Sequence, residues 1–177
     1  TLVIVSAEIS RMAGGLGRVI NYHTIEFIHL MGKNARLVWV EPYYKDSEES
    51  LGEFIYDEFP VKIRGKRVFA QVYKRKNILR IPNEKGEVEE LEIENYLIRD
   101  PQKYYVGKLY KYNHDDSPAG LDEFSEFFCK AFLELLRRQI KRTTDGWGKP
   151  VIAVNDGQCL SISFLKRLVY PRLMRNI

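Results

Sequence analysis

Within its first 40 residues the chain runs through a short aliphatic stretch, a glycine-rich loop, an amphipathic segment and a second aliphatic stretch. No other feature constrains the fold as strongly. "LVIV", residues 2–5, continues to about residue 6, is short and is bounded by a loop rich in glycine, so it reads as a buried strand. From Leu16 the positions Leu16, Val19, Ile20, His23, Phe27, Leu30 and Met31 recur at helical spacing, with Gly32 placed to end the helix. "ARLVWV", 35–40, is a second strand, which Glu41-Pro42 is expected to stop. A strand–loop–helix–strand unit favours a parallel sheet.

The far end repeats the logic. Phe124, Phe127, Phe128, Ala131, Phe132, Leu135 and Leu136 form one apolar helical face, followed by the basic "RRQIKR", which suits the negative end of the helix dipole. An aromatic stripe at that spacing is core packing. The polar connector 112–124 precedes this helix, with an N-cap expected near Asp122. "GWGKP" breaks the chain at 146–150, "VIAV" is a further buried strand, and "NDGQ" leads into a last helix carrying Leu160, Phe164, Leu165 and Leu168. Between the two ends, roughly 52–112, Val61–Tyr73 alternates around an Arg64-Gly65-Lys66 turn and Ile78–Ile98 around Asn83–Gly86. Both read as hairpins decorating the edge of the main sheet. The expected class is therefore α/β: a Rossmann-like parallel sheet flanked by helices, with inserted β-hairpins, in a single domain spanning 1–177.

A chain of 177 residues is long enough to bury about 70% of its extended surface in one core. No window approaches the roughly 18 apolar residues of a membrane span, and "TLVIVSAE" lacks the basic region and cleavage site of a signal peptide. Cys129 and Cys159 fall within expected helices and read as buried thiols, which fits a cytoplasmic protein. The net charge of +4 is unevenly spread. Residues 61–80 carry eight basic side chains and no acidic one, whereas 84–100 carry seven acidic against two basic. Both stretches alternate polar and apolar positions, so neighbouring strands pairing opposite charges explain them better than a nucleic-acid surface, whose field the acidic neighbour would cancel.

In open parallel sheets ligands sit at the carboxyl ends of the strands. Two loops lie there, "SAEISRMAGGLG" and "NDGQ", so they form one candidate site although about 140 residues separate them. Gly14, Gly15 and Gly17 let a ligand touch the backbone with no Cβ in the way. The helix start beyond them offers unpaired N–H groups and a positive dipole end to an anion. Tight strand-to-helix packing would also explain the glycines. The spacing matches neither the dinucleotide fingerprint nor the P-loop.

The opening "SAEISRMAGGLGRVINYHTIEFIHLMGKNARLVWVEPYY" resembles that of bacterial glycogen and starch synthases. That family typically shows S-A-E, then K-x-G-G-L-G-D-V, then a helix leading to G-H-x-V-x-V and P-x-Y. Ser6-Ala7-Glu8, Gly14-Gly15-Leu16-Gly17, Val19, Gly32 and Pro42-x-Tyr44 match in order and spacing. "EFFCKAFLELL" resembles the family's F-F-S-R-A-x-L-E helix, and "VIAVNDGQ" its I-x-H-x-H-D-W-Q strand end. The resemblance implies the N-terminal half of a GT-B architecture, with a C-terminal nucleotide-sugar domain absent from this chain and strands still to be added after Ile177. It further implies retaining transfer of glucose from ADP- or UDP-glucose to the 4-hydroxyl of an α-glucan, without metal or other cofactor. The isolated half is expected to be inactive.

The departures fall on charged groups. The family's lysine ahead of the double glycine, which neutralises donor phosphate, is Met12; the Asp after GGLG is Arg18; the His that lines the sugar site is Asn155; and Gly157 replaces Trp. Asp156 and Gln158 remain. A methionine cannot neutralise phosphate, whereas Arg11 or Arg18, each within a helical turn of the glycines, can bind it bidentately. Asn155 can hydrogen-bond a sugar hydroxyl but cannot take a proton. The candidate set is thus Asn155 and Asp156 at the reacting centre, with Arg11, Gly14, Gly15, Gly17, Arg18 and Gln158 binding substrate. A solvated loop edge accounts equally for the two arginines. His23, His29 and His114 read as structural or solvent-facing, and no Cys/His cluster has metal-ligand spacing. A non-catalytic carbohydrate- or nucleotide-binding domain on the same fold remains the alternative.

Overall fold

The computed structural model describes residues 1–7, 9, 15–32, 35–44, 55–82, 86–102, 105–106, 120–155, 159 and 162, with the backbone alone at 15–18 and 82. The elements are β1 (Leu2–Val5), α1 (Gly15–Met31), β2 (Leu37–Pro42), β3 (Ile55–Ile63), β4 (Lys66–Pro82), β5 (Val88–Arg99), α2 (Leu121–Lys141) and β6 (Val151–Val154). They form a six-stranded sheet in the order β3-β4-β5-β2-β1-β6. β6, β1, β2 and the second half of β5 run parallel, with Val5 opposite Val154 and Val40, and Val40 opposite Tyr96. β3, β4 and β5 are antiparallel neighbours.

Side-chain alternation divides the core in two. Leu2, Ile4, Leu37 and Trp39 face α1, while Val3, Val5, Val38 and Val40 face the aromatic side of α2. β1 and β2 are buried on both faces, which is why each reads as a continuous apolar run. β6 departs from its reading as a buried strand: it is the edge strand of the described sheet, with Val151 63% exposed and the other three residues only half-buried. Phe124, Phe127, Phe128, Phe132 and Leu136 of α2 are fully buried. Phe124 stacks between Tyr44 and Phe128 at centroid distances of 6.2 and 6.1 Å, and Tyr105 stacks on Phe127 at 5.2 Å.

The middle of the chain differs from its reading as edge decoration. The two-residue turn at Arg64 (φ 46°) and Gly65 (φ 83°) joins β3 to β4, both residues left-handed as the twist of a tight hairpin requires. β5, however, does two jobs. Its whole length pairs with β4, and Glu94–Ile98 pair in parallel with β2. The hairpin region therefore supplies a strand of the parallel centre, and "NYLI" within it is buried on both faces for that reason. The charge pattern resolves as cross-strand pairing: Lys76–Glu92 at 2.8 Å, Arg80–Glu90 at 3.1 Å and Lys74–Glu94 at 2.9 Å.

Three local expectations change. β2 does not stop before Glu41-Pro42 but runs through both, because Tyr43 N–H donates to the Ile98 carbonyl (2.8 Å) and keeps the pairing in step. α2 is capped by Gly120, with Asp122 and Glu123 in its first turn, where they complement the dipole without capping. α1 buries a different stripe. Ile20, Thr24 and Ile28 face the sheet, while Val19, His23, Met31 and Leu30 (83% exposed) face outward. Apolar residues surround this helix, so its sequence fits more than one face. Thr24 can sit inside because its hydroxyl donates to the Ile20 carbonyl (2.8 Å) and accepts the Trp39 indole N–H (3.4 Å). The helix does end at Gly32, whose φ is +77° and whose N–H reaches the Ile28 carbonyl (2.8 Å).

Gly146 shows how tightly the segment after α2 is folded back. A Cβ there would lie 2.5 Å from the carbonyl oxygens of both Gln139 and Arg142. Gly146→Ala is expected to cost about 2 kcal/mol, since backbone carbonyls cannot step aside as a side chain can. The urea midpoint measures it, and a cost below about 0.5 kcal/mol would show that the turn re-forms around the methyl.

Candidate functional site

The parallel strands β1, β2 and β6 end side by side, and backbone hydrogen bonds carry the order just past them. Ser6 N–H donates to the Val40 carbonyl (3.2 Å) and Asn155 N–H to the Val5 carbonyl (2.9 Å). Asn155 is thus held directly alongside Ser6, so the two loop starts separated by about 150 residues do meet at the carboxyl edge. Gly15 and Gly17 lie in the first turn of α1, as does the backbone of Arg18. Arg11, Gly14, Asp156 and Gln158 lie outside the described residues, as do Met12 and Gly157.

β2 and Tyr44, two residues beyond its end, contribute three groups that grip the start of the β1–α1 connection. The first is the Val40 carbonyl on Ser6. Second, the Tyr44 hydroxyl donates to the Ala7 carbonyl at 2.9 Å. Third, the Glu41 carboxylate accepts the Ile9 N–H at 3.1 Å through Oε2. Glu41 is 2% exposed. Its Oε1 accepts Asn95 Nδ2 at 2.7 Å and has Arg75 Nη2 at 3.8 Å, so the buried charge has both a neutral donor and a cation beside it. Ser6, Ala7 and Ile9 are all fully buried. Asn95, opposite Arg75 on β4 and Trp39 on β2, is reached by Glu41 along one face of the sheet.

Sequence reasoning treated Glu41 only as a strand stop and gave no role to Asn95 or the Tyr44 hydroxyl. The available signal was a carboxylate inside an otherwise apolar run, "LVWVEP", which must find a buried partner wherever the run is a strand.

The other titratable groups stand apart from this edge. His23 and His29 are exposed on α1, and His114 lies outside the described residues. Cys129 and Cys159 are buried and form no disulfide, and burial pushes the Cys129 thiol up to about 12, out of reach as a nucleophile at neutral pH. Among the described residues no three His, Cys, Asp or Glu side chains converge as metal ligands would. At the opposite, amino edge of the sheet Glu94 gathers Arg36, Lys74 and Tyr96. A cavity of about 410 Å³ opens between the β3–β4 turn and the start of α2, lined by Arg64, Lys66, Arg67, Tyr105 and Glu123; Arg64 is paired there with Glu123 at 2.8 Å. It lies on the hairpin side of the fold, and none of its lining residues belongs to β1, β6 or the loops that follow them.

A family model described as "starch synthase catalytic domain" matches residues 1–176. No curated protein matches the chain. Among solved structures, the catalytic domain of starch synthase IV from Arabidopsis thaliana bound to ADP and acarbose is similar in fold, with a TM-score of 0.60 and 20% sequence identity. The match covers 99% of this chain and 32% of that one, so the chain spans about a third of that domain's length.

Proposed function

Because the chain belongs to the starch synthase catalytic domain family, we propose that it is the acceptor-side, glycine-loop portion of a retaining glucosyltransferase that moves glucose from a nucleotide sugar to an α-glucan. The observation that carries this reading is the meeting of the β1 and β6 ends, with Asn155 N–H on the Val5 carbonyl. It brings the strand end before the glycine motif beside the strand end that opens "NDGQ". The ADP of the starch synthase IV structure favours ADP-glucose over UDP-glucose as donor. Retaining transfer without metal needs positive groups at the leaving diphosphate and polar groups at the sugar. Arg11 and Arg18 supply the first where the family's lysine is replaced by Met12, and Asn155, Asp156 and Gln158 the second, with Gly14, Gly15 and Gly17 admitting the donor to the backbone. Asn155 acts by hydrogen bonding alone. A cytoplasmic location belongs to the same proposal. It is supported by two buried cysteines that form no disulfide, and no helix among the described residues is long and apolar enough to cross a membrane.

The test is glucose transfer from ADP- and UDP-glucose to glycogen by the gene product at its natural length. Turnover is expected with ADP-glucose, and Arg11→Ala together with Arg18→Ala is expected to weaken donor use by at least tenfold, the effect of about one lost charge-assisted phosphate contact. A folded protein that binds the nucleotide or the glucan and transfers nothing from either donor would instead mark a non-catalytic binding domain.

A further inference from the structure

We infer that Glu41 is a positioning residue for the transfer reaction, holding the start of the β1–α1 connection in its working place through the Ile9 N–H. The inference rests on the proposed function above. Three consecutive tethers run from the end of β2 to the same short segment: Val40 carbonyl to Ser6, Tyr44 hydroxyl to the Ala7 carbonyl, and Glu41 to Ile9. The first two are ordinary for neighbouring parallel strands and a following turn. The third is not, because it places a glutamate side chain at 2% exposure in an otherwise apolar strand.

A buried carboxylate is retained at such a place only with its own partners supplied, and β4 and β5 supply them: Asn95 Nδ2 at 2.7 Å and Arg75 Nη2 at 3.8 Å. Three strands, β2, β4 and β5, and the connection are thereby joined at one carboxylate. A leucine would fill the same space and leave the Ile9 N–H without an acceptor, so apolar packing is not what Glu41 provides. Ile9 lies six residues before Gly15, the first residue of α1, and the placement of the helix N-terminus against a donor depends on where that connection starts. Displacement of a binding group by about 1 Å costs on the order of 100-fold in rate.

The chemistry of the cluster also predicts which replacement succeeds. Asn95 Oδ1 is buried with no hydrogen-bond partner. A glutamine at position 41 keeps an oxygen for the Ile9 N–H and presents an NH₂ to Asn95, which satisfies it by turning its amide over to offer Oδ1. Glu41→Gln therefore retains the tether, and Glu41→Ala loses it.

The experiment compares the natural-length protein with Glu41→Gln, Glu41→Ala and Tyr44→Phe by two readouts. In the transfer assay, corrected for folded protein, Glu41→Ala is expected to lower kcat/KM for ADP-glucose at least tenfold while the glucan KM stays within twofold; Glu41→Gln is expected within threefold of the parent, and Tyr44→Phe between the two. In hydrogen exchange, Glu41→Ala is expected to speed exchange at the Ile9 amide at least tenfold, with β1 amides unchanged. Unaltered kinetics per folded molecule, or exchange that rises equally through β1, would overturn the inference, since Glu41 would then serve stability alone. If Glu41→Ala does not fold, Glu41→Leu, which fills the same space and offers the Ile9 N–H no acceptor, takes its place in both readouts with the same outcomes. An inactive parent would overturn the proposed function but not the tether, which the exchange readout then decides by itself.

Discussion

Trp147→Ala is expected to be the most destabilising single truncation in the described chain, costing about 4 kcal/mol. Trp147 is 2% exposed although it follows a helix end in a glycine-flanked segment, "GWG". Its indole meets the ring of Tyr96 edge-on, with centroids 5.2 Å apart and planes at 86°, and Tyr96 meets Tyr56 in the same way at 5.3 Å. Its backbone N–H donates to the Gln139 carbonyl at 3.2 Å, fixing the turn that brings the chain from α2 to β6. Alanine would leave a cavity between α2, β5 and that turn and would remove an aromatic pair worth about 1 kcal/mol beyond its area. Because the same turn feeds β6, the effect reaches the strand that carries Asn155. Urea denaturation of the variant gives the cost directly. Phe69→Ala serves as the contrast: Phe69 is 43% exposed beneath the Arg67 guanidinium, and its loss is expected to change stability by no more than about 0.5 kcal/mol. A Trp147→Ala cost no larger than that of Phe69→Ala would remove the indole from the core.

The second large effect is a dependence on acid that one carboxylate dominates. Burial by itself would raise the Glu94 carboxyl; the Arg36 guanidinium, bound bidentately at 2.7 and 2.8 Å, and the Lys74 ammonium at 2.9 Å outweigh it and hold the group at about 2, against an ordinary value of 4.5. The folded-state value is the lower one, so the proton binds the unfolded chain more readily. The stabilisation is complete above about pH 4.5 and is lost as pH falls from there towards about 2. Arg36 also donates to the carbonyls of Gly146 (2.6 Å) and Asp145 (3.2 Å), so the network ties the start of β2 to β5 and to the turn before β6. With the carboxylate still partly wetted, Glu94→Gln is expected to cost about 2 kcal/mol at pH 7. The gap between parent and variant should close on acidification, and urea unfolding at several pH values between 7 and 2 follows it. A gap that stays constant to pH 2.5 would show that Glu94 is not the titrating group.

The residues differ in how openly they announced these places. The parallel centre was legible because strands buried on both faces must be continuously apolar, and "LVIV" and "LVWV" are; "VIAV" has the same composition but lies at the sheet edge, half-buried, which its sequence does not reveal. The aromatic face of α2 was legible for a related reason, since one helix with six large apolar side chains at helical spacing has one way to hide them. α1 was misread because its apolar residues surround the axis, and only the groove that the sheet offers selects Ile20, Thr24 and Ile28 over Leu30 and Met31. β5 was misread as edge decoration because alternation in "EVEELEIE" hides the change to a two-sided strand at Asn95–Ile98. Of the candidate site, the meeting of the β1 and β6 ends followed from the class of fold, and Glu41 did not.

Local chemistry therefore determined most of the secondary structure and the parallel class, because glycine placement and hydrophobic period act over a few residues and need no distant partner. Tertiary structure alone decided that Glu41 is a tether, that Glu94 is an anchor and that Trp147 is core. Each of these depends on groups 32 to 58 residues away in sequence or more, and a charge or ring has no assigned partner until the sheet order β5-β2-β1-β6 brings the partner beside it.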